Sequence, residues 1–346
     1  MSKIKKILTA AGGALIVIFL VMGFVAADGG RIKVKSDSVP ETVEKEKRDK
    51  LIIGCTLASE QSDYQEELGN LMNDFAAKDD TYTLEICYAQ WNVATQEEQM
   101  RNFIEEKVDA IILCPVNAKS FLNVLKEANQ AGIPVINLNM KVDTVSSEYV
   151  AAYVGASMSE EAEMAATLAI GYFGGRYGRI GIIEGIPGSD PQIYRTQTFL
   201  EKLASHSNLE VVGIANGEWK SEKAKEAAVN LLKKNPDIDM IYCQDNYMSQ
   251  GVYEVLKEQG IEEEVALIGI GNASAHMEDI KEGRLYGLVT QPPEFEAYYA
   301  LECAKKSAVG ESLRAWYKNK VEILTKQNVE NYRSPMEDIL NSQYEK

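Results

Sequence analysis

From Leu51 to about Val321 the chain repeats one phrase about ten times: a short β-branched run, a turn, then an amphipathic stretch long enough to cross back over a sheet. This rhythm predicts α/β architecture built on parallel sheets, in which ligands bind beyond the carboxyl ends of the strands. In the first half the pattern predicts strands over Leu51–Leu57, Tyr82–Ala89, Asp109–Cys114 and Pro134–Leu138. Helices are expected over Asp63–Ala77, Thr95–Glu106 and Ala118–Ala131, the last starting at Asn117 or Ala118 and stopping at Gly132.

A second set follows Ala151–Gly155. It places helices over Glu160–Phe173, Tyr194–Ala204, Ser221–Lys234, Ser249–Glu258 and Ala275–Glu282, and strands over Arg179–Glu184, Glu210–Asn216, Met240–Gln244 and Ala266–Ile270. Leu288–Gln291 and Val321–Leu324 are left over and are assigned as returns between lobes. The two sets repeat in architecture, not visibly in sequence, and two similar sheets imply two lobes with a cleft between them.

The N-terminus bears on location. Met1–Lys6 carries three lysines, and Ile7–Ala27 has no charged residue and is long enough to cross a ~30 Å hydrocarbon core. The run exceeds the usual apolar core of a signal peptide, which favours a retained membrane anchor, while Val25-Ala26-Ala27 offers the small residues of a cleavage site. The lysines favour an exported body, against which Arg31, Lys33 and Lys35 count. Residues 28–50 are rich in Lys, Glu and Asp and read as a solvated tether.

A net charge of −16 without Lys/Arg clusters argues against nucleic acid as a partner and otherwise serves solubility. The five cysteines, Cys55, Cys87, Cys114, Cys243 and Cys303, show no C-x-x-C spacing. With only two histidines in the chain, no zinc or other metal site is expected, and no cofactor. The cysteines read as buried small hydrophobes.

The predicted strand ends carry the candidate chemistry. After them come Ser59-Glu60-Gln61-Ser62-Asp63, Gln90-Trp91-Asn92, Cys114–Asn117, Asn137-Leu138-Asn139, Gly185–Asp190, Gly217-Glu218-Trp219, Gln244-Asp245-Asn246, Gly271-Asn272 and Gln291. Amides and carboxylates engage hydroxyl groups in pairs, and an indole covers the C–H face of a sugar ring, so the inventory suits a small polyhydroxylated ligand. Each residue alone is equally explained as turn chemistry, and the weight lies in their common placement.

Four stretches, Val108–Pro115, Ala131–Asn137, Tyr242–Gly251 and Leu267–Gly271, resemble the type I periplasmic binding proteins, specifically the sugar-binding branch around the ribose-binding protein. The resemblance spans about Leu51 to Leu324. It implies two Rossmann-like lobes with parallel sheets, joined by a three-strand hinge near Gly155–Ser157, Thr290–Gln291 and Trp316–Lys320. Lobe 1 is then 51–156 plus 291–317, lobe 2 is 157–290 plus 318–329, and 330–346 is a C-terminal tail whose Met336, Ile339 and Leu340 suit a short docked helix.

On the same resemblance Gln291 matches a pocket glutamine, Trp219 a stacking aromatic and Asp245 a pocket asparagine or aspartate. Asn139 and Met140 stand where Asp-Arg is common, Gly271 replaces a frequent aspartate, and Ile193 falls near a frequent arginine, so the usual charged clamp is expected to be largely gone. Tyr194 or Gln192, Trp91 and Asn272 are the candidates to fill those spaces, Ser59 and Gln61 are further candidate ligand residues, and Arg195 is expected to brace the lobe rather than touch ligand.

The function implied is capture of a small sugar-like ligand outside the membrane, for delivery to an ABC-type permease or for reading by a sensor such as a histidine kinase. An enzyme is not expected. Gly185–Asp190 follows a strand but has neither G-x-G-x-x-G spacing nor a G-K-[ST] ending, and His206 and His276 stand apart from any nucleophile motif. A repressor of the lactose-repressor kind is excluded by the apolar segment and acidic tether standing where its helix-turn-helix would be.

Overall fold

The computed structural model describes residues 49–337. The expected anchor or signal segment lies outside them, as do nearly all of the tether and Ile339 and Leu340 of the tail.

Twelve strands among the described residues form two six-stranded sheets. The first lobe holds β1 (Leu51–Leu57), β2 (Tyr82–Tyr88), β3 (Ala110–Leu113), β4 (Val135–Leu138), β5 (Ala152–Gly155) and β11 (Trp316–Lys318), in the order β11-β5-β4-β3-β1-β2. The second holds β6 (Gly178–Glu184), β7 (Leu209–Asn216), β8 (Met240–Cys243), β9 (Ala266–Gly271), β10 (Gly287–Thr290) and β12 (Ile323–Thr325), in the order β12-β10-β9-β8-β6-β7. Substituting each strand of one lobe for its counterpart in the other gives the same order. The last strand breaks the match: β11 runs parallel to β5, whereas β12 runs antiparallel to β10.

Helices cover both faces. In the first lobe these are α1 (Asp63–Ala76), α2 (Val93–Glu105), α3 (Leu122–Gln130) and α9 (Pro293–Ala308); in the second they are α4 (Met158–Phe173), α5 (Asp190–Leu203), α6 (Ser221–Lys234), α7 (Asn246–Gln259) and α8 (Ala273–Glu282). Strand alternation divides the second lobe into two cores. Ile183, Ile241, Cys243 and Leu288 point to the α6–α8 side, and Ile182, Met240, Tyr242 and Val289 to the α4–α5 side. All five cysteines are unpaired, and four of them are buried.

Apart from β11, which the hydrophobic pattern does not single out, the strands fall within a residue or two of where it puts them, although the segments read as returns between lobes pair into the second sheet as β10 and β12. Helix starts differ, for reasons of capping. The helix expected at Asn117 or Ala118 begins only at Leu122, because the Asn117 side chain accepts from the Lys119 and Ser120 amides and closes a local turn instead. Conversely, α5 begins four residues before Tyr194, where Ser189 leads in and Pro191 suits the first turn. Helix α7 begins three residues before Ser249, capped by Asp245. Helix α9 is not in the sequence reading; its apolar face packs into the first lobe through Ala297, Ala300, Leu301 and Ala304.

The chain passes between lobes three times, from β5 into α4, from β10 into α9, and from β11 to β12. The two lobes also touch across the mouth of the cleft. The Lys220 ammonium lies 2.8 Å from the Asp63 carboxylate, and Asn272 Nδ2 donates to Glu67 Oε1 at 2.7 Å. The Tyr247 hydroxyl donates to the other Glu67 oxygen. The lobes are thus closed on each other.

Candidate functional site

Two tryptophans enter the cleft from equivalent places. Trp91 and Trp219 each stand three residues beyond the last residue of the edge strand, β2 and β7. Each is the third residue of a four-residue turn closed by a backbone bond from fourth to first, Asn92 N to Ala89 O at 2.9 Å and Lys220 N to Gly217 O at 2.9 Å. Both central residues of each turn have positive φ, 53° and 58° at Gln90 and Trp91, 55° and 60° at Glu218 and Trp219. This is type I′ geometry, normally given to Asn-Gly. Four bulky residues held there make a locally strained backbone, of the kind that persists where surrounding structure over-determines it.

The two rings are held differently. Trp219 is 5% exposed and built into the core of its own lobe, its ring filling the space over Gly185, where a Cβ would fall 1.9 Å from indole atoms. Trp91 is half-buried and packs against the apolar clusters of both lobes.

Between them lies a narrow cavity of about 30 Å³, well below the usual range for small-molecule sites in this closed form. Its polar lining centres on Asp245, Arg195 and Gln291. Asp245 Oδ1 caps α7 by accepting from Met248 N at 2.7 Å, while Oδ2 is buried with no hydrogen-bond partner. Burial pushes this carboxyl up to about 7, against the pull of the Met248 amide and of Arg195. An acceptor in that state costs free energy until a donor arrives.

Arg195 is buried and uses four of its five N–H donors within the protein. Its Nε and Nη2 donate to Glu161 Oε2 at 3.0 and 2.7 Å, its Nη1 to the Gln244 carbonyl at 2.6 Å, and Nη2 also to Gln291 Oε1 at 3.0 Å. Burial opposes its charge, but Glu161 and the surrounding anionic groups outweigh this and keep it ionised. Arg195 thereby ties the second-lobe helices α4 and α5 to the β10 crossover at Gln291, and its guanidinium lies 5.9 Å from the centre of the Trp219 ring.

On the first-lobe side, Asn139 takes positive φ of 57° and donates Nδ2 to Glu296 Oε2 at 2.8 Å. Asn319 Nδ2, in the third crossover, donates to the Pro292 carbonyl at 3.0 Å and faces Glu296 Oε1 at 3.3 Å. Glu296 is fully buried, and desolvation lifts it to about 7 despite these donors. The second and third crossovers are therefore joined through one carboxyl that also holds a wall residue of the cavity.

Of the residues singled out in the sequence, Trp91, Asn139, Met140, Trp219, Asp245 and Gln291 line this cavity. The other five stand elsewhere. Ser59 is buried and bonds Gln61 N and Gln90 Oε1, and Gln61 is exposed. Gln192 accepts from Gly188 N, and Asn272 caps α8 and bonds Glu67 across the lobes. Tyr194 is half exposed and faces a second cavity beside the first crossover.

Ser62, Tyr64, Gln65, Pro191 and Arg195 also line the inner cavity and are absent from the expected set. Arg195, read as a brace, braces the lobe and also lines the cavity.

A family model described as a periplasmic binding protein domain matches residues 53–312. The chain belongs to this family. A solved relative of this binding protein, a solute-binding protein of an ABC transporter from Bacillus halodurans with bound myo-inositol, superposes with a TM-score of 0.76 at 26% identity, covering 83% of this chain and 99% of that one. Among curated relatives, the xylitol-binding protein of Mycolicibacterium smegmatis is 28% identical over 248 residues, 69% of each chain. The D-ribose/D-allose-binding protein of Pseudomonas aeruginosa is 24% identical over 229 residues, 64% of this chain and 70% of the relative. The two-lobed type I architecture of the binding protein agrees with the solved relative.

Proposed function

We propose that this binding protein captures a small neutral polyol or sugar outside the cytoplasmic membrane and presents it to an ABC-type permease. The observation that carries the reading is the buried, unpartnered Asp245 Oδ2 at the wall of a cavity that also holds two indoles. A ligand hydroxyl answers the carboxylate, and the C–H face of the same ligand answers the rings. The relatives named for xylitol, for ribose and allose, and bound to inositol all take neutral polyhydroxylated molecules, which supports the same class here. Closure follows by population shift, since the ligand contacts both lobes only when they meet.

Thermal unfolding of the full chain against alditols, cyclitols, aldoses and nucleosides tests this. A rise in midpoint with one neutral class, lost in Asp245→Ala, is the expected result. A rise confined to charged or apolar ligands, or none in any class, sinks the reading. Turnover of the bound molecule would make the protein an enzyme instead.

The length of the uncharged run Ile7–Ala27 favours a second use of the same closed form, as a membrane-anchored signal read by a sensor. The N-terminal sequence of the mature protein in membrane and soluble fractions separates a retained anchor from a cleaved leader.

A further inference from the structure

A second cavity, of about 500 Å³, lies between the lobes beside the first crossover. It stands back to back with the inner one. Met140 and Pro191 line the inner cavity, and their chain neighbours Lys141 and Asp190 line the second. Consecutive residues of each lobe thus face the two cavities, and on the first lobe the one facing the inner cavity is an unbranched, flexible methionine.

The second lining is aromatic and balanced in charge. The first lobe supplies Lys119, Lys141, Asp143 and Tyr153, and the second supplies Asp190 and Tyr194. Two ammonium groups against two carboxylates leave no net charge to select an ion. Lys141 Nζ already rests 4.0 Å from the centre of the Trp316 ring and 4.5 Å from that of Tyr153. Tyr194 is held out from the second turn of α5 with half its surface open. An exposed phenol ring beside charge-balanced polar groups is what a second saturated, hydroxylated ring needs for stacking and hydrogen bonding.

We propose that the cleft accepts a two-unit ligand, one polyol or sugar unit in the inner cavity and a second neutral sugar unit, joined to the first by a glycosidic bond, in the cavity lined by Tyr194. This rests on the polyol reading above.

The test is isothermal titration of the full chain with two sets of probes. The single units are xylitol, sorbitol, myo-inositol and ribose; the two-unit probes are maltitol, a glucosylated sorbitol, and galactinol, a galactosylated myo-inositol. At least one two-unit probe should bind about tenfold tighter than its own single unit, a gain expected of one additional stacked and hydrogen-bonded ring. Tyr194→Ala and Lys119→Ala should remove that gain and leave the single-unit affinity within about twofold.

Single units that bind while the two-unit probes bind no tighter overturn the inference and leave the polyol reading standing. A gain that survives both substitutions overturns it equally. Failure of every probe in both sets counts against the polyol reading itself, and this inference falls with it.

Discussion

The same turn serves the two lobes to different ends. In the second lobe Trp219 is part of the core, seated over Gly185 and packed with Ile183, Ala224 and Met248. In the first lobe Trp91 is half-buried and gains apolar neighbours from the opposite lobe. One ring is therefore formed with its lobe, and the other is completed by closure. Under the proposed function, a preorganised ring on one side and a ring completed by closure on the other would divide the work of recognition.

The largest expected effect is on the built-in ring. Trp219→Ala should cost about 3–5 kcal/mol of stability, as large-to-small core changes of this size do, along with ligand binding; urea denaturation reads the first. Equal losses from Trp91→Ala would break the comparison. Gly185→Ala comes next, because its new Cβ displaces the Trp219 ring; affinity should fall at least about tenfold while far-ultraviolet circular dichroism stays native. Trp91→Ala should weaken binding by about 0.5–1.5 kcal/mol, with a smaller stability loss than its counterpart, measured by titration and denaturation on the same preparation.

The smallest effect sharpens the comparison at the backbone. Glu218→Gly relieves positive φ and should raise stability by up to about 1 kcal/mol. Gln90→Gly should gain less, since Gln90 also bonds Ser59 and Glu60. The two midpoints, compared by differential scanning calorimetry, decide this.

Strand positions were legible because buried parallel strands leave short apolar runs between turn signals, and the loops that follow them were legible as polar. The cleft's helical contributors were not. Arg195, Gln65 and Glu296 sit on the inward faces of α5, α1 and α9, flanked by Phe199 and Leu203, by Leu68 and Met72, and by Ala300 and Leu301. A charged or amide residue recurring in step with a helix's apolar positions is the signal that would have found them. Reading only the residues just after each strand passes over it. Asn272 and Gln61 show the converse error. They follow strands as expected, but capping, lobe contact and solvent claim them, and only packing separates those uses from a ligand's.

Helix α9 has a consequence for how the molecule comes into being. The first lobe opens with β1 near the start of the described chain, yet its core includes Ala297, Ala300, Leu301 and Ala304, which arrive after five of the six strands of the second lobe have been made. Contacts this distant in sequence are slow to form and carry a large loop-closure cost. During synthesis the first lobe is left with an open apolar face against α1 and the central strands until α9 has been made. The first lobe emerges first yet closes its core only with this helix, which makes truncations that end before Ala304 a threat to the lobe that begins the described chain.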